Sequence, residues 1–166
     1  MKYINQMTLK FDSLSVNEGF SRSAVSAFCV GLNPTLDDIT DIKTAVSEAV
    51  TNCVVHAYPK TIGVIEIWVG LTKDSVHISI KDNGVGIDDL NQAREPFFTT
   101  KQNEDRAGMG FTVMESFMDS LEVLHNKGGG IEVRMTKKIS KKQLMATGKL
   151  DGWWKSLAFN YGKKWR

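Results

Sequence analysis

Three stretches, Glu48-Ala-Val-Thr-Asn52-Cys-Val-Val-His56, Asp82-Asn-Gly-Val-Gly86 and Gly108-Met-Gly110-Phe111, follow one another along the chain. In the first, Glu48, Asn52 and His56 recur every fourth residue, so they line one flank of a helix. Asparagine is a poor helix former, and here it stands mid-helix among apolar residues. Its amide oxygen suits Mg²⁺, which takes oxygen ligands and keeps several waters. Glu48, one turn earlier, is placed to accept a proton from an attacking hydroxyl. His56 reads as a structural hydrogen bonder at the helix end. In the second stretch Asp82 ends a strand and can accept from a base amino group, while Gly84 and Gly86 let backbone approach a flat ring. In the third, a glycine pair opens a helix whose N–H groups can hold phosphate. Each stretch alone has an ordinary reading: a solvated flank, a strand-ending turn, a closely packed helix start. In this order they supply a carboxylate, a metal-binding amide and a phosphate cradle, the parts of a phosphoryl-transfer site.

The elements around these stretches are legible in outline. Residues 8–11 alternate weakly and read as a short strand. Residues 15–31 read as a helix, with Ser15 and Glu18 as a capping box and Gly31 as the stop. Asn33-Pro34-Thr35 opens the next helix, with Asp37 and Asp38 in its first turn, where the helix dipole favours acids. Its apolar stripe, Ile42, Ala45, Val46, Ala49, Val50, Cys53, Val54 and Ala57, keeps a 3–4 spacing until Tyr58-Pro59. Residues 64–71 and 76–81 read as paired strands turned at 72–75. A short helix is expected near 88–93, and residues 95–107 read as polar and irregular. A helix over 108–118 precedes a second hairpin, 121–124 with 131–135, around Asn126-Lys-Gly-Gly-Gly130. Helices first and hairpins later predict an α+β fold, a mixed sheet with helices on one face.

At 166 residues, 42% apolar and 24% charged, the chain has the size and composition of one globular domain. No run approaches the roughly 18 apolar residues of a membrane span, and residues 1–7 lack a signal peptide's apolar core. Cys29 and Cys53 fall on apolar helix faces, as buried free thiols of a cytoplasmic protein would. Of 21 basic and 19 acidic residues, nine and one fall in residues 137–166. The body is therefore acidic and the tail strongly basic, and the near-neutral total says little about nucleic acid, with which no direct contact is expected. There is no Walker loop, H-R-D or D-F-G.

The three stretches at residues 48–56, 82–86 and 108–111 resemble the N, G1 and G2 boxes of the GHKL ATPase and kinase superfamily, which has the Bergerat ATP-binding fold, and they extend into the longer segments Ile42-Lys-Thr-Ala-Val-Ser-Glu-Ala-Val-Thr-Asn-Cys-Val-Val-His-Ala-Tyr58, Ala93-Arg-Glu-Pro-Phe-Phe-Thr-Thr-Lys101 and Arg106-Ala-Gly-Met-Gly-Phe-Thr-Val-Met-Glu-Ser-Phe-Met118. Within it they are most similar to the anti-sigma F family of spore-forming bacteria. The resemblance covers about residues 5–142. It implies a homodimeric, cytoplasmic protein-serine kinase that uses ATP and Mg²⁺. It further implies a sporulation sigma factor of the sigma F type, held inactive, and an anti-anti-sigma factor phosphorylated on serine. Carried over by position, Glu48 matches the general base, Asn52 the magnesium ligand and Asp82 the adenine-binding aspartate. Gly84, Gly86, Gly108 and Gly110 match box glycines. Thr99, Thr100, Lys101 and Arg106 fall in the lid and phosphate-contacting segment, and Arg22 matches a partner-surface arginine.

The resemblance divides the chain into a kinase and anti-sigma domain, residues 1–142, and a tail, residues 143–166, without a counterpart. Leu150, Trp153, Trp154, Leu157, Tyr161 and Trp165 recur there at helical spacing with lysines away from that face. Docking on the domain's own surface, or fraying, is favoured over contact with an anionic membrane, and Gly152 and Gly162 weaken the helix. Two alternative functions share the motifs: a stress-response anti-sigma kinase with a different sigma partner, and a non-catalytic, nucleotide-gated sigma-binding module. Glu48 argues against the second, since binding alone needs no base. A sensor histidine kinase is disfavoured because no helical phospho-acceptor segment precedes the first motif.

Overall fold

The computed structural model describes residues 2–90 and 109–140. In chain order these form β1 (Asn5–Asp12), α1 (Val16–Cys29), a short 3₁₀ turn (Val30–Leu32), α2 (Leu36–Asn52) running into a π-helical turn (Cys53–Ala57), β2 (Val64–Leu71), β3 (Ser75–Lys81), α3 (Gly110–Phe117), β4 (Ser120–His125) and β5 (Ile131–Lys138). The two long helices, the helix that follows the third motif, both hairpins and the α+β layering are present as expected. The short helix expected near 88–93 falls partly outside the described residues, which stop at residue 90.

The strands make one sheet in the order β1-β2-β3-β5-β4. All four pairings are antiparallel, which corrects the mixed sheet expected from sequence. The connection from β3 through α3 does cross over, and β4 runs in the same direction as β3. However, β5 returns by a hairpin and inserts between them, so the two codirectional strands never pair. Strand alternation sends Met7, Leu9, Phe11, Ile65, Ile67, Val69, Val76, Ile78, Ile80, Val133 and Met135 to one face, where they meet the helices. The stripe of α2 supplies the other half of this core: Ile42, Ala45, Val46 and Val50 have no exposed surface. Burying a side chain the size of valine or isoleucine stabilises by about 1.5–3 kcal/mol, and α2 lies between α1 and α3. The open face of the sheet is polar and aromatic. Trp68 stacks edge-on with Tyr3 at 5.0 Å, and Glu132 accepts from Ser79 at 2.6 Å.

The one capping box expected from sequence, at the start of α1, is absent, and one that was not expected stands at the start of α2. The start of α2 is a full box: Thr35 Oγ1 accepts from the Asp38 N–H at 3.1 Å, and Asp38 accepts from the Thr35 N–H at 2.9 Å. Ser140, just past β5, also donates to Asp38 from N–H and hydroxyl, each at 3.2 Å. Burial acts to raise the Asp38 carboxyl, but these hydrogen bonds together outweigh it and hold it below its ordinary value. At the start of α1 the box is absent. Ser15 has helical backbone and no side-chain cap, because Glu18 turns instead to accept from Ser47 Oγ on α2 at 2.6 Å. Gly31 is not the stop either. The chain continues through the 3₁₀ turn and reverses at Asn33, which takes the left-handed conformation at φ 54°.

Candidate functional site

The last turn of α2 brings the first and third motifs together. A Cβ built on Gly110 would stand 3.1 Å and 3.3 Å from the amide nitrogen and oxygen of Asn52, and 3.3 Å from Glu48 Oε2. The side chains one helical turn apart thus converge on the residue that opens α3, and the absent Cβ leaves space between them. Both Glu48 and Asn52 keep partial exposure, as groups that meet a ligand must.

Beyond Asn52 the helix widens into the π turn. The Ala57 carbonyl accepts from the Val85 N–H at 2.9 Å, which ties the first motif to the second. Gly84 packs so closely on Ala57 that a Cβ would overlap that carbonyl. The sequence suggests Gly84 as a point of ligand approach; in the fold the polypeptide itself requires it. Gly86 is left-handed at φ 76°. Tyr58 closes the junction: its hydroxyl accepts from the Asn83 N–H at 2.8 Å and donates to the Val64 carbonyl at 2.9 Å.

Asp82 is 2% exposed. Its Oδ1 accepts from the Gly84 N–H at 2.9 Å and the Ile131 N–H at 3.4 Å. Its Oδ2 accepts from the Cys53 thiol at 3.7 Å. Burial raises the Asp82 carboxyl above its ordinary value, and the three hydrogen bonds offset this only in part. Burial and the neighbouring Asp82 charge push the Cys53 thiol well up, so it stays protonated and a donor.

The hairpin turn between β4 and β5 wraps this carboxylate. Asn126 Nδ2 donates to the Asp82 carbonyl at 3.0 Å and to Asn83 Oδ1 at 2.8 Å. Gly130 is left-handed at φ 72°, and a Cβ there would run into Asp82 Oδ1. Gly130→Ala should therefore lower stability by about 2–4 kcal/mol, the left-handed penalty plus a steric clash with a buried carboxylate. Urea denaturation reads this, and a loss under about 0.5 kcal/mol would show that the turn relaxes freely.

Cys53, Tyr58, Asn126 and Gly130 are neighbours of Asp82 that the sequence reading misses. The only signal was the Gly128–Gly130 run, which is also an ordinary hairpin turn. Arg22 lies on α1 outside this cluster and pairs with Glu18 at 3.5 Å. Through Glu18 and Ser47 it connects to the residue preceding Glu48. Thr99, Thr100, Lys101, Arg106 and Gly108 lie outside the described residues, as does the tail from 143 to 166. Cys29 and Cys53 are both buried and free.

The arrangement suits a magnesium nucleotide. Among the described residues no three carboxylate, histidine or cysteine groups gather into a metal cage. Mg²⁺ needs none, because substrate phosphates and water complete its octahedron around one or two protein oxygens. Asn52 and Glu48 offer oxygens beside the gap at Gly110, so the residues present fit that ion.

The family profile of the histidine kinase-like ATPase domain matches residues 17–137. A protein named anti-sigma F factor from Caldanaerobacter subterraneus subsp. tengcongensis is 52% identical over 143 residues, 86% of this chain and 100% of its own. Proteins of that name from Clostridium perfringens and Bacillus thuringiensis are 50% and 46% identical, over 82% and 85% of this chain and 98% and 97% of theirs. Among solved structures, the RsbU and RsbW domains of a Mycobacterium tuberculosis protein superpose with a TM-score of 0.59 at 19% identity, over 82% of this chain and 32% of that one. That likeness concerns the fold alone.

Proposed function

The chain belongs to the anti-sigma F factor family of histidine kinase-like ATPases, and we propose that it binds a sporulation sigma factor and, with ATP and Mg²⁺, phosphorylates a serine of an anti-anti-sigma factor. The observation that carries the kinase reading is the convergence of Glu48 and Asn52 on Gly110. A nucleotide with its adenine at Asp82 and its phosphates at the opening of α3 would have Glu48 and Asn52 beside its phosphate end. Bound Mg²⁺ would neutralise charge between the phosphate oxygens, with Asn52 as its protein ligand. Glu48 accepts the proton of the attacking serine hydroxyl as the oxygen bonds to the γ-phosphorus and the β–γ bridging bond breaks. The N–H groups at the start of α3 stabilise phosphate charge.

Other roles rest on the resemblance. Thr99, Thr100, Lys101, Arg106 and Gly108 are proposed phosphate contacts, and Gly86 a backbone contact to the nucleotide. Arg22 is proposed as a partner contact, which its 44% exposed side chain supports. We assign these activities to residues 1–142, and take the working form to be a cytoplasmic homodimer. Among the described residues no helix is long and apolar enough to cross a membrane.

The test of the anti-sigma role is capture. The full chain, immobilised with ATP and Mg²⁺, should retain a sigma F-type factor, and Arg22→Ala should release it. Equal retention of an unrelated sigma factor would favour the stress-response alternative, and retention of none would overturn the role.

A further inference from the structure

Asp82 Oδ1 accepts from two backbone N–H groups, which hold one end of the carboxylate and make no contact with the other. Oδ2 is the oxygen left for a ligand. Its protein partner is the thiol of Cys53, 3.7 Å away and 29 residues earlier in sequence. Both residues are almost wholly buried, at 2% and 3% exposure. Cys53 follows Asn52 directly and begins the π turn. The same short segment therefore carries the proposed metal ligand and the group that touches the base-recognising carboxylate.

We propose that Cys53 is a positioning residue for base recognition: its thiol fixes the plane of the Asp82 carboxylate so that Oδ2 meets the amino group of adenine, and it thereby sets the preference for adenine over bases lacking that group. The proposal rests on the nucleotide-binding reading above. A carboxylate oxygen has two acceptor directions, so Oδ2 takes the thiol and a ligand N–H together. A thiol is a weak, long-reaching donor, which orients the carboxylate without saturating it. Without that third donor the carboxylate pivots about its Oδ1 contacts, and a ligand that depends on Oδ2 loses most.

The test compares ATP with inosine triphosphate, which carries a carbonyl where adenine has its amino group, by calorimetry on the full chain. Cys53→Ala should weaken ATP about three- to tenfold and leave inosine triphosphate within about twofold, so the preference narrows. Cys53→Ser, which keeps a donor, should hold the wild-type preference. Should the alanine variant fail to fold, Cys53→Val, which fills the volume without a donor, gives the same reading. An unchanged preference in the donor-free variant, or a serine variant that loses as much as alanine, overturns the proposal. Wild-type chain that binds neither nucleotide would instead overturn the nucleotide reading itself.

Discussion

Glu48→Gln is expected to slow phosphoryl transfer to the anti-anti-sigma serine by ~10²–10⁴-fold, the usual contribution of a positioned general base. Glutamine keeps the length and hydrogen-bonding reach of glutamate and can occupy the same place beside Gly110 and Asn52. It cannot take a proton from the attacking hydroxyl. ATP affinity should therefore hold within about twofold, because no ground-state contact to the nucleotide is removed. Single-turnover transfer and calorimetric titration of the same preparation separate the two quantities. Wild-type transfer rates in the variant would remove Glu48 from the base role. Joint loss of binding and transfer would make it a nucleotide ligand instead.

Asp82→Asn carries the second large effect, and its two consequences have opposite signs. Toward ATP, the exchange places an amide donor against the adenine amino group. It should weaken binding by about 1–3 kcal/mol, roughly 5- to 150-fold. Toward the fold, burial raises the Asp82 carboxyl. A carboxyl with a raised folded-state pKa contributes stability that is present below its unfolded pKa and lost as pH rises through the folded one. Above that pKa the carboxyl is therefore a cost to the nucleotide-free protein. The substituted amide oxygen would still accept from the Gly84 and Ile131 N–H groups, so the variant should be at least as stable as wild type at pH 7. That advantage should shrink as pH falls through the raised pKa toward the ordinary aspartate range. Urea melts at several pH values, beside ATP calorimetry, read both. A variant that binds ATP normally would refute the base contact. One that is markedly less stable at pH 7 would show that the carboxylate holds the turn together.

The same residues show what a sequence discloses and what it withholds. The stripe from Ile42 to Ala57 was legible because a long helix repeats its burial every 3–4 residues, and each of those repeats lies in the core or against it. The hairpins were legible because strand alternation and turn residues are local. The antiparallel sheet was not, since insertion of β5 between β3 and β4 is decided by pairing between distant segments. The two helix starts divide on the same line, the box read from sequence at Ser15 failing and an unread one at Thr35 forming. Thr35 and Asp38 meet no partner that draws either away, and they form their box. Glu18 meets one in Ser47, 29 residues away, and leaves Ser15. At the site, Asn52 stood out as an amide mid-helix among apolar residues, whereas Glu48 and Asp82 became candidates only through the order of the three stretches. The neighbours that fix Asp82 were invisible for the opposite reason. Cys53 reads as one more apolar position of a stripe, and Gly130 as one more turn glycine, until the fold sets both against a buried carboxylate.

The central claim is that this site uses ATP to modify a protein serine. Its most direct test is transfer of γ-³²P from ATP, with Mg²⁺, by the full chain to a purified anti-anti-sigma factor, followed by phosphoamino acid analysis. Label on serine of the substrate protein, abolished by EDTA and reduced to near background by Glu48→Gln, is the predicted result. A chain that binds ATP with Mg²⁺, captures its sigma factor and yet transfers no label would contradict it and leave a nucleotide-gated sigma-binding module.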